Sequence, residues 1–260
     1  MVFIYPEIDP IIFSIGFLKI RWYGLMYLFG FIAAILLAKK RCQRKDSPIT
    51  ALQIEDLIFY SMLGVILGGR LGYVFFYGWQ QLISDPWYIF KITEGGMSFH
   101  GGLVGVMTAV WLYGRKLGHD LWVMTDFVAP LGPLGLGFGR IGNFINNELW
   151  GKPTDVAWAF QVNGQTLHAT QLYEAFLEGL VLFLILWIFT ENKRPKMAAS
   201  GLFLACYGAF RFCIEFYRLP DAHLDYLALG WVTMGQILSL PMIMIGIILL
   251  LKAYKPSIQQ

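Results

Sequence analysis

Several arginines occur in parts of this chain that are otherwise strongly apolar. Arg70, Arg140, Arg211 and Arg218 lie inside or at the edge of hydrophobic stretches, where an ionised side chain is costly to keep. The alternatives for each one are a structural ion pair or a side chain that extends to the membrane interface. A guanidinium group keeps its charge and offers a rigid two-pronged donor, so these residues suit an anionic phosphate better than a cation.

Residues that can move or hold protons accompany the arginines. Tyr207, Arg211 and Glu215 recur every four residues, so on a helix they lie along one stripe and face a common partner. An Arg211–Glu215 pair would also neutralise itself. The side chains suited to proton transfer are His100, Tyr23, Tyr207, Glu148 and Glu215.

The elements that must position these residues are apolar stretches of nearly membrane-spanning length. Of the 260 residues, 57% are hydrophobic and 14% are charged, whereas soluble domains carry about 25% charged residues. The pattern predicts an all-α integral membrane protein of about seven transmembrane helices, forming a single polytopic domain over 1–260. The stretches are 22–38, 57–77, 97–113, 121–138, 172–189, 201–216 and 231–251.

The basic residues predict the orientation of these spans. Twelve of the twenty Lys and Arg residues fall in alternate loops, at 39–45, 115–116, 193–196 and 252–255. Because basic loops stay in the cytoplasm, the N-terminus is expected in the periplasm and the C-terminus in the cytoplasm. A small periplasmic segment, 139–170, then joins the fourth and fifth spans. Within it, residues 155–164 alternate in character and predict a short strand or hairpin.

With this orientation, the unusual polar residues of six segments fall in the outer half of the membrane. Independent ion pairs would have no reason to share one leaflet, so we interpret them as one site. Two prolines and four glycines within 130–140 predict a broken helix, either lining a polar cavity or packing closely on a neighbour. The residues that converge are Tyr23, Arg70, His100, Arg140, Asn143, Asn146, Glu148, His168, Gln171, Glu174, Tyr207, Arg211, Glu215 and Arg218.

Phospholipid headgroups are the most abundant phosphates at that depth. The residues alone therefore predict a phospholipid-binding membrane protein, either an enzyme or a transporter. The sequence contains no nucleotide-binding loop, and its three cysteines have no metal or disulfide spacing. Neither a metal, a cofactor nor a nucleic-acid partner is expected.

The segment 139–151, GRIGNFINNELWG, carries a specific family signature. It resembles the bacterial phosphatidylglycerol–prolipoprotein diacylglyceryl transferase family, whose pattern G-R-x-G-N-F-x-N-x-E-x-x-G it matches at every fixed position. Where the family usually reads His-Pro-Ser, this chain has His-Ala-Thr at 168–170. Supporting matches follow in the expected order along nearly the whole chain, at 21–24, 69–73, 100–102, 171–174 and 207–218.

The resemblance implies transfer of the diacylglyceryl group from phosphatidylglycerol to the thiol of a lipobox cysteine in a preprolipoprotein signal peptide. The products are a thioether and glycerol phosphate, and the partners are these two substrates and the surrounding lipids. The enzyme is then expected in the bacterial inner membrane, with its active site towards the periplasm. A phospholipid transporter or scramblase remains the alternative, and an acyltransferase is a second one.

The resemblance also implies roles for residues. Arg140 and Arg211 would stabilise the phosphate, Asn143 would hold the headgroup, and His100 is either the thiol base or a structural donor. Glu148 and Glu215 would orient the arginines, and Tyr23 and Tyr207 would line the site. The predicted catalytic set is Arg140, Arg211, His100, Tyr23, Glu148 and Glu215. The predicted substrate-binding set is Arg140, Asn143, Asn146, Gly151, Tyr207, Arg70, Arg218, Gln171 and Glu174.

Overall fold

The computed structural model describes residues 2–16, 18–91, 95–220 and 226–255, and most of them are helical. The strands are β1 Phe3–Ile4, β2 Ile11–Ile15, β3 Leu18–Arg21, β4 Phe160–Val162 and β5 Gln165–Leu167. The helices are α1 Trp22–Cys42, α2 Ala51–Phe76, α3 Trp79–Ser84, α4 Phe99–Lys116, α5 Leu121–Val128, α6 Pro133–Ile145, α7 Thr170–Glu174, α8 Leu182–Phe189, α9 Ala198–Ile214 and α10 Met234–Ala253.

The apolar helices agree with an integral membrane protein. Among the described residues, four are long and apolar enough to cross a bilayer: α1, α2, the continuous stretch Thr170–Phe189, and α10. A fifth crossing is possible where α5 with its following turn and α6 meet at a bend of 46°. Every predicted stretch is helical, but α4 and α9 fall outside these criteria, so the count of seven stays a prediction. The last five residues, part of the predicted cytoplasmic end, lie outside the described residues.

The bend between α5 and α6 is the broken helix that the prolines and glycines predict. A short 3₁₀ turn, Ala129–Leu131, follows α5, and Pro133 starts α6. Proline fits the first turn of a helix, where its missing N–H removes no hydrogen bond. The new helix therefore starts at a defined position and carries Arg140 and Asn143 in its second half.

Short strands depart from the all-α prediction. β4 and β5 form an antiparallel hairpin whose turn residues Asn163 and Gly164 have positive φ, as a tight hairpin turn requires. This hairpin confirms the strand expected within 155–164. β1 pairs in parallel with β4, and β2 pairs with β3, and these N-terminal strands were not predicted. Strands of two to five residues leave too short an alternation to be read from sequence.

The chain divides into two compact units, one formed by Met1–Leu37 with Asp126–Gln260 and the other by Ala38–Thr125. In the second unit, α2 and α4 pack through glycines: a Cβ on Gly72 would lie 2.8 Å from Gly101 Cα. In the first unit, α9 packs on α10. There too, α6 crosses the segment Ala175–Val181 so closely that a Cβ on Gly179 would lie 2.7 Å from Gly137 Cα. Small residues allow such close helix approaches in membranes.

Candidate active site

Glu174, the last residue of α7, forms ion pairs with three arginines from separate parts of the first unit. The Nε of Arg140 on α6 lies 3.1 Å from Glu174 Oε2, and the Nη1 of Arg218 lies 2.9 Å from Oε1. The Nη1 of Arg211 on α9 also contacts Oε1. Glu174 is completely buried. Three residues that the sequence predicts for one site therefore meet at a fourth predicted residue.

Glu215 ties two of these arginines to the start of α10. Its Oε1 contacts Arg211 Nη2 and lies 3.0 Å from Arg218 Nε. Its Oε2 accepts a hydrogen bond of 2.6 Å from the hydroxyl of Thr233, which caps α10. The Arg211–Glu215 contact is the pair that their four-residue spacing allows as the alternative to a common partner.

Glu178 belongs to the same cluster but is absent from the predicted site residues. Its carboxylate oxygens lie 3.8 Å from Arg140 Nη2 and 4.0 Å from Arg211 Nη1. It stands in a π-helical segment, Ala175–Val181, and is completely buried. The available signal was a second acid four residues after Glu174 inside an apolar stretch, because ionisable residues at that depth are functional candidates. We call these six residues, Arg140, Arg211, Arg218, Glu174, Glu178 and Glu215, the arginine–glutamate cluster.

Two of the three arginines in the cluster have partly exposed side chains, whereas Arg218 and the three acids are buried. The side chains of Arg140 and Arg211 are 24% and 16% exposed, whereas those of Glu174, Glu178 and Glu215 are at most 4% exposed. Arg140 and Arg211 therefore leave part of their side chains accessible to a ligand, whereas the carboxylates that contact them are enclosed. Within the described residues, no three His, Cys, Asp or Glu side chains are arranged so that they could hold a metal ion.

Glu148 does not make the expected contact with an arginine. Its Oε2 accepts a hydrogen bond of 3.1 Å from the side-chain amide of Asn143. Its Oε1 accepts one of 3.3 Å from the side-chain amide of Asn146. Among the described residues, no ion pair links Glu148 to an arginine. The chain folds back after α6 because Asn147 and Leu149 adopt left-handed backbone conformations, φ 61° and φ 60°. A reversal of this kind cannot be read from helical spacing.

The loop after α6 is fixed from three sides. The hydroxyl of Tyr5 contacts the carbonyl oxygens of Phe144 and Ile145 at 2.9 and 3.0 Å, which satisfies carbonyl groups at the helix end. The side-chain amide of Gln171 donates to the carbonyl of Glu148, and the hydroxyl of Thr170 donates to that of Leu149 at 2.9 Å. The predicted residue Gln171 therefore holds the loop that presents Asn143 and Asn146.

Gly151 occupies a position without room for a side chain. A Cβ there would lie 2.5 Å from the carbonyl oxygen of Tyr217 and 2.6 Å from Thr170 Cγ2. Its N–H donates to the carbonyl of His168 at 2.9 Å. Gly151 was predicted to bind substrate, and in the structure its surroundings are protein packing.

The two predicted tyrosines lie on α1 and α9. The ring of Tyr23 packs against α6, since a Cβ on Gly142 would lie 2.8 Å from its Cδ2, and its hydroxyl is 3.4 Å from that of Tyr27. Tyr207 stacks on Phe203, one helical turn before Arg211. Both tyrosines belong to the unit that contains the arginine–glutamate cluster.

His168 forms an aromatic cluster with Tyr173 and Tyr217 in the same unit. Its Nδ1 lies 3.0 Å from the hydroxyl of Tyr173, which accepts a hydrogen bond of 2.9 Å from the indole of Trp158. Burial lowers the pKa of the His168 imidazole. The ring is therefore neutral at pH 7.

Arg70 and His100 lie in the other unit, and their membership of the site stays a prediction. The donors of Arg70 reach backbone carbonyls of Tyr88, Ile89, Gly95 and Gly96, and the residue is 2% exposed. This arrangement clamps the loop before α4. His100 stands exposed in the first turn of α4 and lines a groove of about 990 Å³ in that unit.

Comparisons with known proteins agree with the family indicated by the signature. Residues 10–252 match the family model described as prolipoprotein diacylglyceryl transferase. A phosphatidylglycerol–prolipoprotein diacylglyceryl transferase of Pseudomonas paraeruginosa is 55% identical over 259 residues, covering 98% of this chain and 97% of the relative. Proteins of the same name from Methylococcus capsulatus and Solidesulfovibrio magneticus are 56% and 53% identical, covering 96% of this chain. The chain therefore belongs to the prolipoprotein diacylglyceryl transferase family and is a transferase.

Proposed function

We propose that this chain transfers the sn-1,2-diacylglyceryl group of phosphatidylglycerol to the thiol of the lipobox cysteine in a preprolipoprotein, the first step of lipoprotein maturation. The names of its relatives contain both substrate classes. The observation that carries the proposal is the meeting of Arg140 and Arg211 at the buried carboxylate of Glu174. Two guanidinium groups held on one acid, each with an accessible side, form a receptor for a lipid phosphate.

The reaction makes and breaks one bond at the same carbon. The cysteine sulfur bonds to the glycerol carbon as the bond from that carbon to the phosphate oxygen breaks. The thiol proton passes to a base, and the phosphate departs as glycerol phosphate. Negative charge grows on the departing phosphate, where Arg140 and Arg211 stabilise it.

The thiol needs a base because its unperturbed pKa is about 8.5. His100 is the base that we propose, since it is exposed at the start of α4. Asn143 and Asn146 each donate one side-chain amide hydrogen bond to Glu148. They hold the headgroup with their remaining amide hydrogens. Tyr23 and Tyr207 line the same site, and Arg218 and Gln171 support it.

The membrane placement is part of the proposal. We infer seven spans: the four long helices, the bent α5–α6 pair counted as one span, α4 and α9. The N-terminus lies in the periplasm, the C-terminus lies in the cytoplasm, and the protein resides in the inner membrane. The segment 139–170 then faces the periplasm, where preprolipoproteins present their lipobox.

A mass measurement tests this function directly. Purified protein in lipid nanodiscs is incubated with phosphatidylglycerol and a lipobox peptide. A gain of one diacylglyceryl group on the peptide supports the proposal. Headgroup translocation in vesicles with no change in peptide mass would instead indicate a transporter, and a gain of a single acyl chain would indicate an acyltransferase.

A further inference from the structure

Glu178 differs from the other acids of the arginine–glutamate cluster in how it is held. Both of its carboxylate oxygens are buried, and neither has a hydrogen-bond donor among the described residues. Its arginine contacts of 3.8 and 4.0 Å exceed the 2.7–3.2 Å range of N–H···O hydrogen bonds. Glu174 and Glu215 each have one buried oxygen without a donor in the described part of the chain, but in both the other oxygen accepts a hydrogen bond, and both have arginine contacts of 3.1 Å or less. A buried carboxylate without donors is the costlier one to keep ionised.

The net charge of the cluster also indicates that one of its glutamates is neutral. Within the described part of the chain it contains three arginines and three glutamates, so full ionisation would leave no net charge. A phosphodiester monoanion would then bring an uncompensated charge into a poorly solvated site. If one glutamate is neutral, the cluster carries one positive charge, which the lipid phosphate balances.

The groups around Glu178 indicate that it is the neutral glutamate of the cluster. Arg140 from α6, Glu174 from α7, Tyr207 and Arg211 from α9, and Arg218 beyond α9 act on it electrostatically. The neighbouring α8, Leu182–Phe189, carries no acidic or basic side chain. Glu174 is contacted by three arginines and Glu215 by two, whereas Glu178 has only two long arginine contacts.

We propose that Glu178 is a neutral carboxylic acid in the resting protein. Its protonation leaves the arginine–glutamate cluster with one net positive charge, so Arg140 and Arg211 can bind a lipid phosphate. Glu178 does not touch the substrate in this proposal, because it is completely buried. It is a positioning residue that acts through the two arginines. The π-helical segment that carries it is a geometry that often marks functional sites. The inference rests on the proposed function, since it requires a phosphate at the arginines.

Infrared difference spectroscopy tests the protonation state without any assay of activity. We expect the carbonyl stretch of a protonated carboxylic acid in the resting wild-type protein, and its loss in Glu178→Gln. Absence of that band from the wild-type protein would overturn the proposal. Persistence of the band at full strength in Glu178→Gln would overturn it too, since another acid would then carry the proton.

The pH dependence of transfer provides the second test. In the wild-type protein, kcat/KM for phosphatidylglycerol is expected to fall at alkaline pH as Glu178 ionises, by about tenfold per pH unit for a single ionisation. Glu178→Gln cannot ionise, so this decline should be absent from its profile. Identical profiles for the two proteins would contradict the proposal.

Glu174→Gln is the matched control, because it removes a carboxylate that the arginines contact closely. At neutral pH its loss of kcat/KM should exceed that of Glu178→Gln by at least about tenfold. Equal losses would mean that Glu178 works as an anion. If the wild-type protein transfers nothing to the peptide, the proposed function fails, whereas the infrared band still reports on Glu178 itself.

Discussion

At the scale of residues, each arginine of the cluster lies within 4.0 Å of at least two glutamate side chains. Arg140 contacts Glu174 and Glu178, and Arg218 contacts Glu174 and Glu215. Removing one member of a buried pair costs about 3–5 kcal/mol because it strands a charge. Shared contacts fix the direction of each guanidinium group before a substrate arrives.

Arg140→Lys tests the two-pronged geometry of this arginine. Lysine keeps the charge but presents a single ammonium group, so it cannot bridge Glu174 and a phosphate in the same way. We expect a loss of roughly 10- to 100-fold in kcat/KM, the value of one charge-assisted hydrogen bond or two, with unchanged membrane insertion. Arg115→Lys, at an exposed position in the last turn of α4, is the control and should retain activity. Near-normal transfer by Arg140→Lys would disprove the bidentate role.

His168 makes the stability of the segment 139–170 depend on pH. Burial lowers the pKa of this imidazole in the folded protein, whereas in the unfolded chain it is about 6.5. Below pH 6.5 the unfolded chain binds more protons, so the contribution of His168 to stability is complete above that pH and declines as the pH falls through the folded-state pKa. The thermal unfolding midpoint should therefore drop between pH 7 and pH 5.

His168→Gln isolates this contribution, because glutamine keeps polar atoms near the hydroxyl of Tyr173 but does not titrate. Its unfolding midpoint should change less across the same pH interval than that of the wild-type protein. An equal or larger change in the variant would show that other groups dominate the acid response.

At the scale of elements, the crossing of α6 and the π-helical segment sets the distances within the cluster. Gly137 and Gly179 meet at this crossing, three residues before Arg140 and one residue after Glu178. The backbones approach so closely that the charged side chains lie within reach of each other. A displaced crossing would separate Arg140 from both acids of the Thr170–Phe189 stretch.

Gly179→Ala tests that crossing. The added methyl group would meet the Gly137 backbone, so we expect a destabilisation of about 1–3 kcal/mol together with reduced activity. The control is Gly139→Ala, on α6 two residues after Gly137. A Cβ at this position would have no heavy atom of a neighbour within 4 Å. That control should unfold at or above the wild-type midpoint, because alanine favours helix over glycine. Equal stability of the two variants would mean that the contact is not needed.

Hydrophobic length and glycine pattern were enough to predict the helical stretches and the break before α6, whereas the packing of α2 on α4 was not predicted. The four-residue spacing of Arg211 and Glu215 was enough to predict their contact as one of two alternatives. The partners of Glu148 could not be predicted, because they depend on left-handed conformations at Asn147 and Leu149. The π-helical turn around Glu178 is likewise a product of tertiary packing, for which local sequence has no distinct pattern.

At the scale of the whole molecule, the orientation of the spans decides which compartment the site faces. Cysteine labelling in a background without Cys42, Cys206 and Cys213 tests it. Gln165→Cys, exposed on β5, should react with a membrane-impermeant thiol reagent in cells whose outer membrane alone is permeabilised. Asn192→Cys, exposed after α8, should react only after the inner membrane is also opened. The reverse pattern would invert the proposed topology.

In the proposed mechanism, a lipid phosphate held by Arg140 and Arg211 leaves as the cysteine thiol attacks the glycerol carbon. The most direct test of this mechanism measures, in one reaction, the diacylglyceryl group gained by the lipobox peptide and the glycerol phosphate released from phosphatidylglycerol. We expect equal amounts of the two products from the wild-type protein, and neither above background from Arg140→Ala. Peptide modification without release of glycerol phosphate, or retention of phosphorus on the peptide, would contradict the mechanism.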